Sequence, residues 1–440
     1  MSSSSSIFLS TLLMVASTVL AAEKPNVVLI MADDFGYECV SSNGSQSCKT
    51  PHLDQLAATG ARFEQCHVQP LCTPTRVQLM TGKYNIRNYL NFGTLLRTET
   101  TFGTLMRSAG YATGICGKWQ LGSEVDAPQH FGFSEALLWQ HTRRPPRYAN
   151  PGLELNGKEQ DYHNGEYGPG LVNQFALDFI AQHKHEPFFL YYPMILTHNP
   201  FQPTPDSPDW DPKTVGEKAL DHPKHFPEMT AYMDKLIGQL VAKLKDLKLF
   251  ENTLLIFVGD NGTGKGITNN LNGRAYEGGK GTTTSHGTRV PLIVSWPRVI
   301  KSPIVCSDLI SSTDFLPTIL AAGAVDAPSS IDGISFLPQL KGEKGTPREW
   351  LYHWYSPRQN NDKKVREWAF NARYKLYRTG EFYDWQTDEL EKKQMVELTD
   401  EAAIGKKKLE AALALFDNAR PKELDQALEG QGKNKRKRKK

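Results

Sequence analysis

Six short stretches of this chain carry side chains able to do polar chemistry, and they lie far apart. Asp33-Asp34 and Asp260-Asn261 each follow an apolar run, and Cys72-Thr73-Pro74-Thr75-Arg76 sets a thiol four residues before a guanidinium. Lys118 precedes Trp119-Gln120, His198 lies in Thr197-His198-Asn199-Pro200, and Lys280 sits in Glu277-Gly278-Gly279-Lys280-Gly281. A cysteine alone suggests a thiol enzyme, but residues 70–82 hold no histidine to take its proton. Asp33, Asp34, Asp260 and Asn261 offer only hard oxygen ligands, which suit Ca²⁺ or Mg²⁺ better than Zn²⁺. The glycines around Lys280 let the backbone approach an anion while the lysine adds charge. His198 can hand over a proton near neutral pH.

An isolated Asp-Asp or Asp-Asn-Gly is ordinarily a turn or a cap, so the elements that present these residues decide their meaning. Residues 26–31 (NVVLIM), 253–258 (TLLIFV) and 290–296 (VPLIVSW) are apolar, β-branched runs expected of buried strands. Residues 187–196 predict a further strand, ended or bent by Pro193. Helices are expected at 53–58, closed by Gly60, at 102–109, closed by Gly110, and over 227–249. Alternating strands and helices predict an α/β core with a largely parallel sheet. In such a sheet the carboxyl ends of the strands form the ligand crevice. Three of the runs then deliver Asp33-Asp34, His198 and Asp260-Asn261 to one edge. Beyond about residue 345 the chain changes character, with short antiparallel strands at 351–355, 367–377 and 381–385 and a charged helix over 401–417. No internal repeat of solenoid length is present.

Residues 70–82 (PLCTPTRVQLMTG) resemble the sulfatase family signature position by position. The resemblance implies that a maturation enzyme oxidises Cys72 to formylglycine, an aldehyde that hydrates to a geminal diol. One hydroxyl attacks sulfur, the alcohol leaves, and the other hydroxyl later expels the covalent sulfate. It further implies that Asp33, Asp34, Asp260 and Asn261, with the modified Cys72, hold one divalent cation, usually calcium. Arg76 would brace the carboxylates and the nucleophile. Residues 110–120 (GYATGICGKWQ) resemble the family's second signature, and Lys118 matches the lysine that contacts the sulfate. Gln120 stands where that signature usually has a histidine; glutamine can hydrogen-bond but cannot take a proton near neutral pH. His198 matches the histidine that protonates the leaving alcohol, and Lys280 the lysine of a Gly-Gly-Lys-Gly-Thr segment. Lys118, Gln120, His198 and Lys280 would thus line the substrate. His286 and Arg289 carry no assigned role. The likeness covers about 25–340 and implies an alkaline-phosphatase-like α/β sandwich with a smaller C-terminal domain.

The 440 residues divide into an expected export leader at 1–22, a catalytic domain at 23–343, a small α+β domain at 344–420 and a basic tail at 421–440. The net charge of +3 comes from that tail, where seven Lys and Arg lie within 433–440; without them 44 basic residues face 48 acidic ones. A mildly acidic body gives no support for nucleic-acid binding. No segment after the leader is apolar enough to span a bilayer, so a secreted or periplasmic protein is expected. Export permits disulfides, and Cys39 with Cys48 could close a short loop. Trp139, His141, Arg143, Arg144 and Arg147 form a basic, aromatic-flanked loop that could grip a sugar or a neighbouring sulfate. The expected substrate is an extracellular sulfated small molecule or polysaccharide. The rivals are a phosphonate or phosphodiester hydrolase using the same site, and an impaired relative that binds sulfated glycans.

Overall fold

Side chains along residues 26–32 alternate between two apolar clusters. Val27, Leu29 and Met31 face one, and Val28, Ile30 and Ala32 the other, so this strand is buried on both faces. The computed structural model describes residues 23–213, 221–356 and 365–426. The expected leader and residues 427–440 of the tail lie outside the described residues. In chain order the strands are β1 (Asn26–Ala32), β2 (Ala61–His67), β3 (Ala112–Gly117), β4 (Glu135–Trp139), β5 (Gly152–Leu155) and β6 (Lys158–Asp161). They continue with β7 (Phe188–Pro193), β8 (Thr253–Gly259), β9 (Thr268–Leu271), β10 (Arg274–Glu277), β11 (Arg289–Ser295) and β12 (Ile304–Ser311).

Ten of these form one sheet in the order β12-β2-β11-β8-β1-β7-β3-β4-β5-β6, while β9 and β10 pair as a separate hairpin. The heart of the sheet, β8-β1-β7-β3-β4, is parallel. The expectation of a largely parallel sheet needs one correction: β11 runs antiparallel to both β8 and β2, and β5 and β6 add antiparallel pairings at the far edge. One face of the sheet is covered by the helices Cys72–Thr81, Phe102–Ser108 and Phe315–Ala322. The other is covered by Pro51–Thr59, Gly168–Gln182 and Phe226–Asp246. The result is a three-layer sandwich.

A second sheet, β13 (Leu351–Tyr355), β14 (Arg366–Phe370), β15 (Tyr374–Tyr377) and β16 (Phe382–Asp384), is antiparallel throughout. The single strand expected over 367–377 is two strands, because the Asn371 side chain accepts N–H bonds from Arg373 and Tyr374 and turns the chain. Tyr352, Ala369 and Leu376 of this sheet, with Leu409 and Leu413 of the helix Asp400–Ala414, belong to the same apolar cluster as β1 and β8. The segment expected to begin a free tail is seated: Leu424 is buried against Leu90. Among the described residues, no helix is long and apolar enough to cross a membrane.

Candidate active site

Strand register explains why residues from opposite ends of the sequence meet. Ala32 of β1 lies opposite Gly259 of β8, so Asp33 and Asp260, one residue further on, emerge side by side. The Asp260 N–H donates to the Ala32 carbonyl at 3.0 Å, and the Asp34 N–H to the Asp260 carboxylate at 2.9 Å. Asp33 exchanges backbone bonds with Leu196 and Thr197, the residues just before His198. Lys118 follows β3, and its N–H donates to the Pro193 carbonyl at 2.7 Å. That approach depends on Gly117, whose φ is +118° and where a Cβ would stand 2.0 Å from the Pro193 oxygen. Because β11 is antiparallel, the loop that enters it brings Lys280 to the same edge.

Cys72 is the first residue of the helix Cys72–Thr81, whose ten residues are all buried and whose end is closed by Gly82 at φ 68°. A helix N-terminus favours negative charge beside it. The Cys72 side chain is 2% exposed, and burial pushes its thiol above the ordinary cysteine range. An unmodified Cys72 is therefore a poor thiolate nucleophile. Arg76, one turn along, is fully buried and donates to the Lys118 carbonyl at 3.0 Å and the Asp260 carboxylate at 2.9 Å. Burial opposes its charge, but Tyr191, Asp260 and Asp33 hold the guanidinium firmly protonated.

The carboxylates and cations form one tight group. The Lys118 ammonium, 1% exposed, donates to both Asp33 oxygens at 2.8 and 2.6 Å, and the Lys280 ammonium to Asp34 at 2.6 Å. Both lysines thus engage the acids, not only the space where a substrate would lie. Burial alone would raise Asp33, but Lys118, His198, Arg76 and Lys280 hold its carboxyl well below the usual range. Asp260 goes the other way: burial and the nearby Asp33 push it up to about 7, against Arg76 and Lys118. His198 is pushed down to about 4 by burial, against the pull of Asp34 and Asp33. Its Nδ1 bonds the Asn199 carbonyl at 2.6 Å, and its Nε2 faces Asp34 at 3.8 Å. Gln120 adopts φ 55°, an uncommon conformation for a non-glycine residue, and its carbonyl accepts a long bond from Thr73 at 3.5 Å.

The residues fit a hard divalent cation. One ligand atom each from Asp33, Asp34 and His198 lie within 4.8 Å of one another. The Asn261 Nδ2 donates to Asp34 at 2.9 Å, while its Oδ1 is buried without a partner. An orphaned amide oxygen among buried carboxylates is a donor set for an oxygen-seeking ion. Recesses of about 530 and 550 Å³ have none of these carboxylates in their lining.

Other expectations change. The basic loop divides: His141 is buried against Glu154 at 3.3 Å, and Arg143 pairs with Glu159 and Asp161, both at 2.8 Å. Among the described residues Arg144 and Arg147 make no ion pair, and the Arg147 guanidinium covers the buried Trp139 ring. His286 stacks on Tyr276 at 3.7 Å, and Arg289 covers the Tyr37 ring at 3.8 Å; both pack the structure. Cys39 and Cys48 carry free, buried thiols, and the loop they could close is not closed. Sequence reasoning missed Tyr148, whose hydroxyl bonds the His198 carbonyl, and Thr73, which accepts the Gly93 N–H at 3.1 Å. Thr73 lies inside the Cys72–Arg76 run, whereas nothing in the sequence marks Tyr148.

Known proteins resemble this chain in sequence and in fold. Residues 25–325 match the family model described as Sulfatase, and residues 280–418 that of the N-sulphoglucosamine sulphohydrolase C-terminal region. Human arylsulfatase A is 33% identical over 395 residues, spanning 79% of this chain and 74% of that protein. In fold the chain resembles BT4656, solved with its substrate D-glucosamine-2-N,6-O-disulfate, at TM-score 0.73 and 22% identity over 90% of this chain and 98% of that one. It also resembles the phosphonate monoester hydrolase of Agrobacterium radiobacter, at TM-score 0.68 and 18% identity over 90% and 96%. On the length of the family match and the identity to arylsulfatase A, this chain belongs to the sulfatase family and is a sulfuric ester hydrolase.

Proposed function

We propose that the protein hydrolyses sulfate esters of extracellular sulfated carbohydrates through a formylglycine made from Cys72 by a maturation enzyme. The observation that supports this reading is the place of Cys72: a buried thiol at the N-terminus of the helix whose Arg76 bonds Asp260 and the Lys118 carbonyl. Asp33, Asp34, Asp260 and Asn261 would hold one divalent cation, Ca²⁺, which when bound supplies positive charge to polarise the sulfate and ease ionisation of the attacking hydroxyl. Arg76 fixes Asp260 and the helix that carries residue 72. Lys118 and Lys280 neutralise the sulfate oxygens, exchanging part of their hold on Asp33 and Asp34 for the substrate. His198 Nε2 protonates the leaving alcohol. Gln120 can hydrogen-bond but cannot take a proton near neutral pH, so it would not serve as the base that releases the bound sulfate.

The leader at 1–22 supports export, and the layout of a catalytic domain at 23–343 and a smaller one at 344–420 belongs to the same reading. A sulfated carbohydrate is favoured by the disulfated sugar recorded as substrate of BT4656. The phosphonate hydrolase shares the fold, so the discriminating experiment compares an aryl sulfate with an aryl phosphodiester on one preparation. The expected result is a kcat/KM for the sulfate larger by roughly 100-fold. A preference for the phosphodiester contradicts the reading, and binding of sulfated glycans without turnover supports the impaired relative.

A further inference from the structure

The loop beyond β4 supplies two cations that the described residues leave without acids. Among the described residues neither Arg144 nor Arg147 makes an ion pair, whereas Arg143, just before them, is paired twice. The Arg147 guanidinium lies over the Trp139 ring, 4.1 Å from its centroid, and Trp139 is fixed by its indole N–H to the Pro145 carbonyl at 2.8 Å. Stacking of this kind holds the guanidinium plane in place. Its Nη1 is buried with no hydrogen-bond partner. A buried N–H donor is costly to leave unpaired, and none of the described residues supplies the acceptor. Arg144, Arg147, Trp139, Pro200 and Gln202 line a recess of about 300 Å³, at the small end of ligand sites.

The recess adjoins the site described above on two sides. Pro200 and Gln202 lie two and four residues after His198 in the chain. Opposite, the Arg144 Nη2 lies 4.0 Å from where a Cβ on Gly93 would stand, and the Gly93 N–H donates to Thr73, the neighbour of Cys72. Arg144 is exposed, with φ 56° and its N–H bonded to the Gln140 carbonyl at 3.2 Å.

Resting on the sulfate-ester reading, we propose that this recess is a second anion subsite. Arg147 and Arg144 bind a second negatively charged group, carboxylate or sulfate, on a sugar whose scissile sulfate lies at residue 72. A guanidinium pairs with either anion in a fork, two N–H donors to two oxygens. The protein would then act on doubly charged sugars in preference to singly charged ones.

The test uses the full-length, matured protein with three disaccharides: one monosulfated, one disulfated, and one monosulfated with a uronic carboxylate. In the wild type, kcat/KM for at least one doubly charged sugar exceeds that for the monosulfated sugar. In Arg147→Gln that ratio falls roughly 10-fold, and in Arg144→Gln, at an exposed position, it falls by less. The sugar whose advantage disappears identifies the second anion. Equal kcat/KM for all three in the wild type, or an equal loss on all three in both variants, overturns the proposal. Calorimetric binding of the same sugars to Cys72→Ala, with and without Arg147→Gln, reads the subsite without catalysis. Tighter binding of a doubly charged sugar that is lost with Arg147 sustains the subsite even if no sulfate ester is turned over. Indifference to the second charge overturns it.

Discussion

Burial and the acid's task proposed for His198 pull its imidazole in opposite directions. With a pKa near 4, the free enzyme holds the ring neutral at pH 7, yet protonating an alkoxide calls for the imidazolium. The competent form is full below about 4 and is lost as pH rises through that value. For an alkyl sulfate, kcat/KM should therefore fall as pH rises from about 4 towards neutrality. A bound sulfate adds negative charge beside the ring and raises its pKa, so the alkaline limb of kcat lies at higher pH than that of kcat/KM. His198→Gln should remove both limbs and lower kcat roughly 100-fold. Paired pH profiles check this, and a wild-type kcat/KM that is flat between pH 4 and 7 contradicts the assigned role. Gln120 has no such titration, which leaves His198 as the titrating ring of the leaving-group side.

At the scale of elements, the small sheet braces the loop that carries Lys280. The Tyr377 hydroxyl on β15 bonds the Thr283 hydroxyl at 2.7 Å, and the buried Lys375 reaches the Thr283 carbonyl while pairing with Glu391 at 2.6 Å. On its other side the loop is tied to the nucleophile segment, the Gly281 N–H donating to the Pro70 carbonyl at 2.8 Å. Tyr377→Phe removes the hydroxyl and leaves Glu391 with Lys375 as partner. Stability should drop by about 1 kcal/mol and KM for an aryl sulfate rise several-fold with kcat little changed. Denaturant unfolding and steady-state kinetics measure both, and an unaltered KM would show that the sheet does not position Lys280. The strands most legible in the sequence are those buried on both faces, β1 and β8, because an unbroken apolar run ending in a carboxylate pair has few other readings. Their direction was legible only through crossover helices, which is why β11 reads as one more parallel strand and is not. β2 (ARFEQCH) was missed because its polar residues mask a strand that lies between β12 and β11. The Asn371 turn has neither glycine nor proline to announce it. The site was legible to the extent that its residues cluster in motifs; the split of the basic loop depends on Glu154, Glu159 and Asp161, which only the folded β5–β6 hairpin brings near.

At the scale of the whole molecule, the two sheets share one apolar cluster, so the nucleophile helix is enclosed from the moment the core closes. Cys72 at 2% exposure is out of reach of another enzyme's active site unless that core opens. On the proposed reading, its conversion would therefore precede completion of the fold. A chain that folds first keeps a protonated, buried thiol and has no nucleophile. The most direct measurement is mass spectrometry of the peptide containing residue 72, from protein exported by a host that has the maturation enzyme, read beside sulfate-ester turnover of the same sample. The account predicts the aldehyde mass at residue 72 and activity in proportion to its fraction. Cysteine throughout, in a sample that nonetheless hydrolyses sulfate esters, would contradict it.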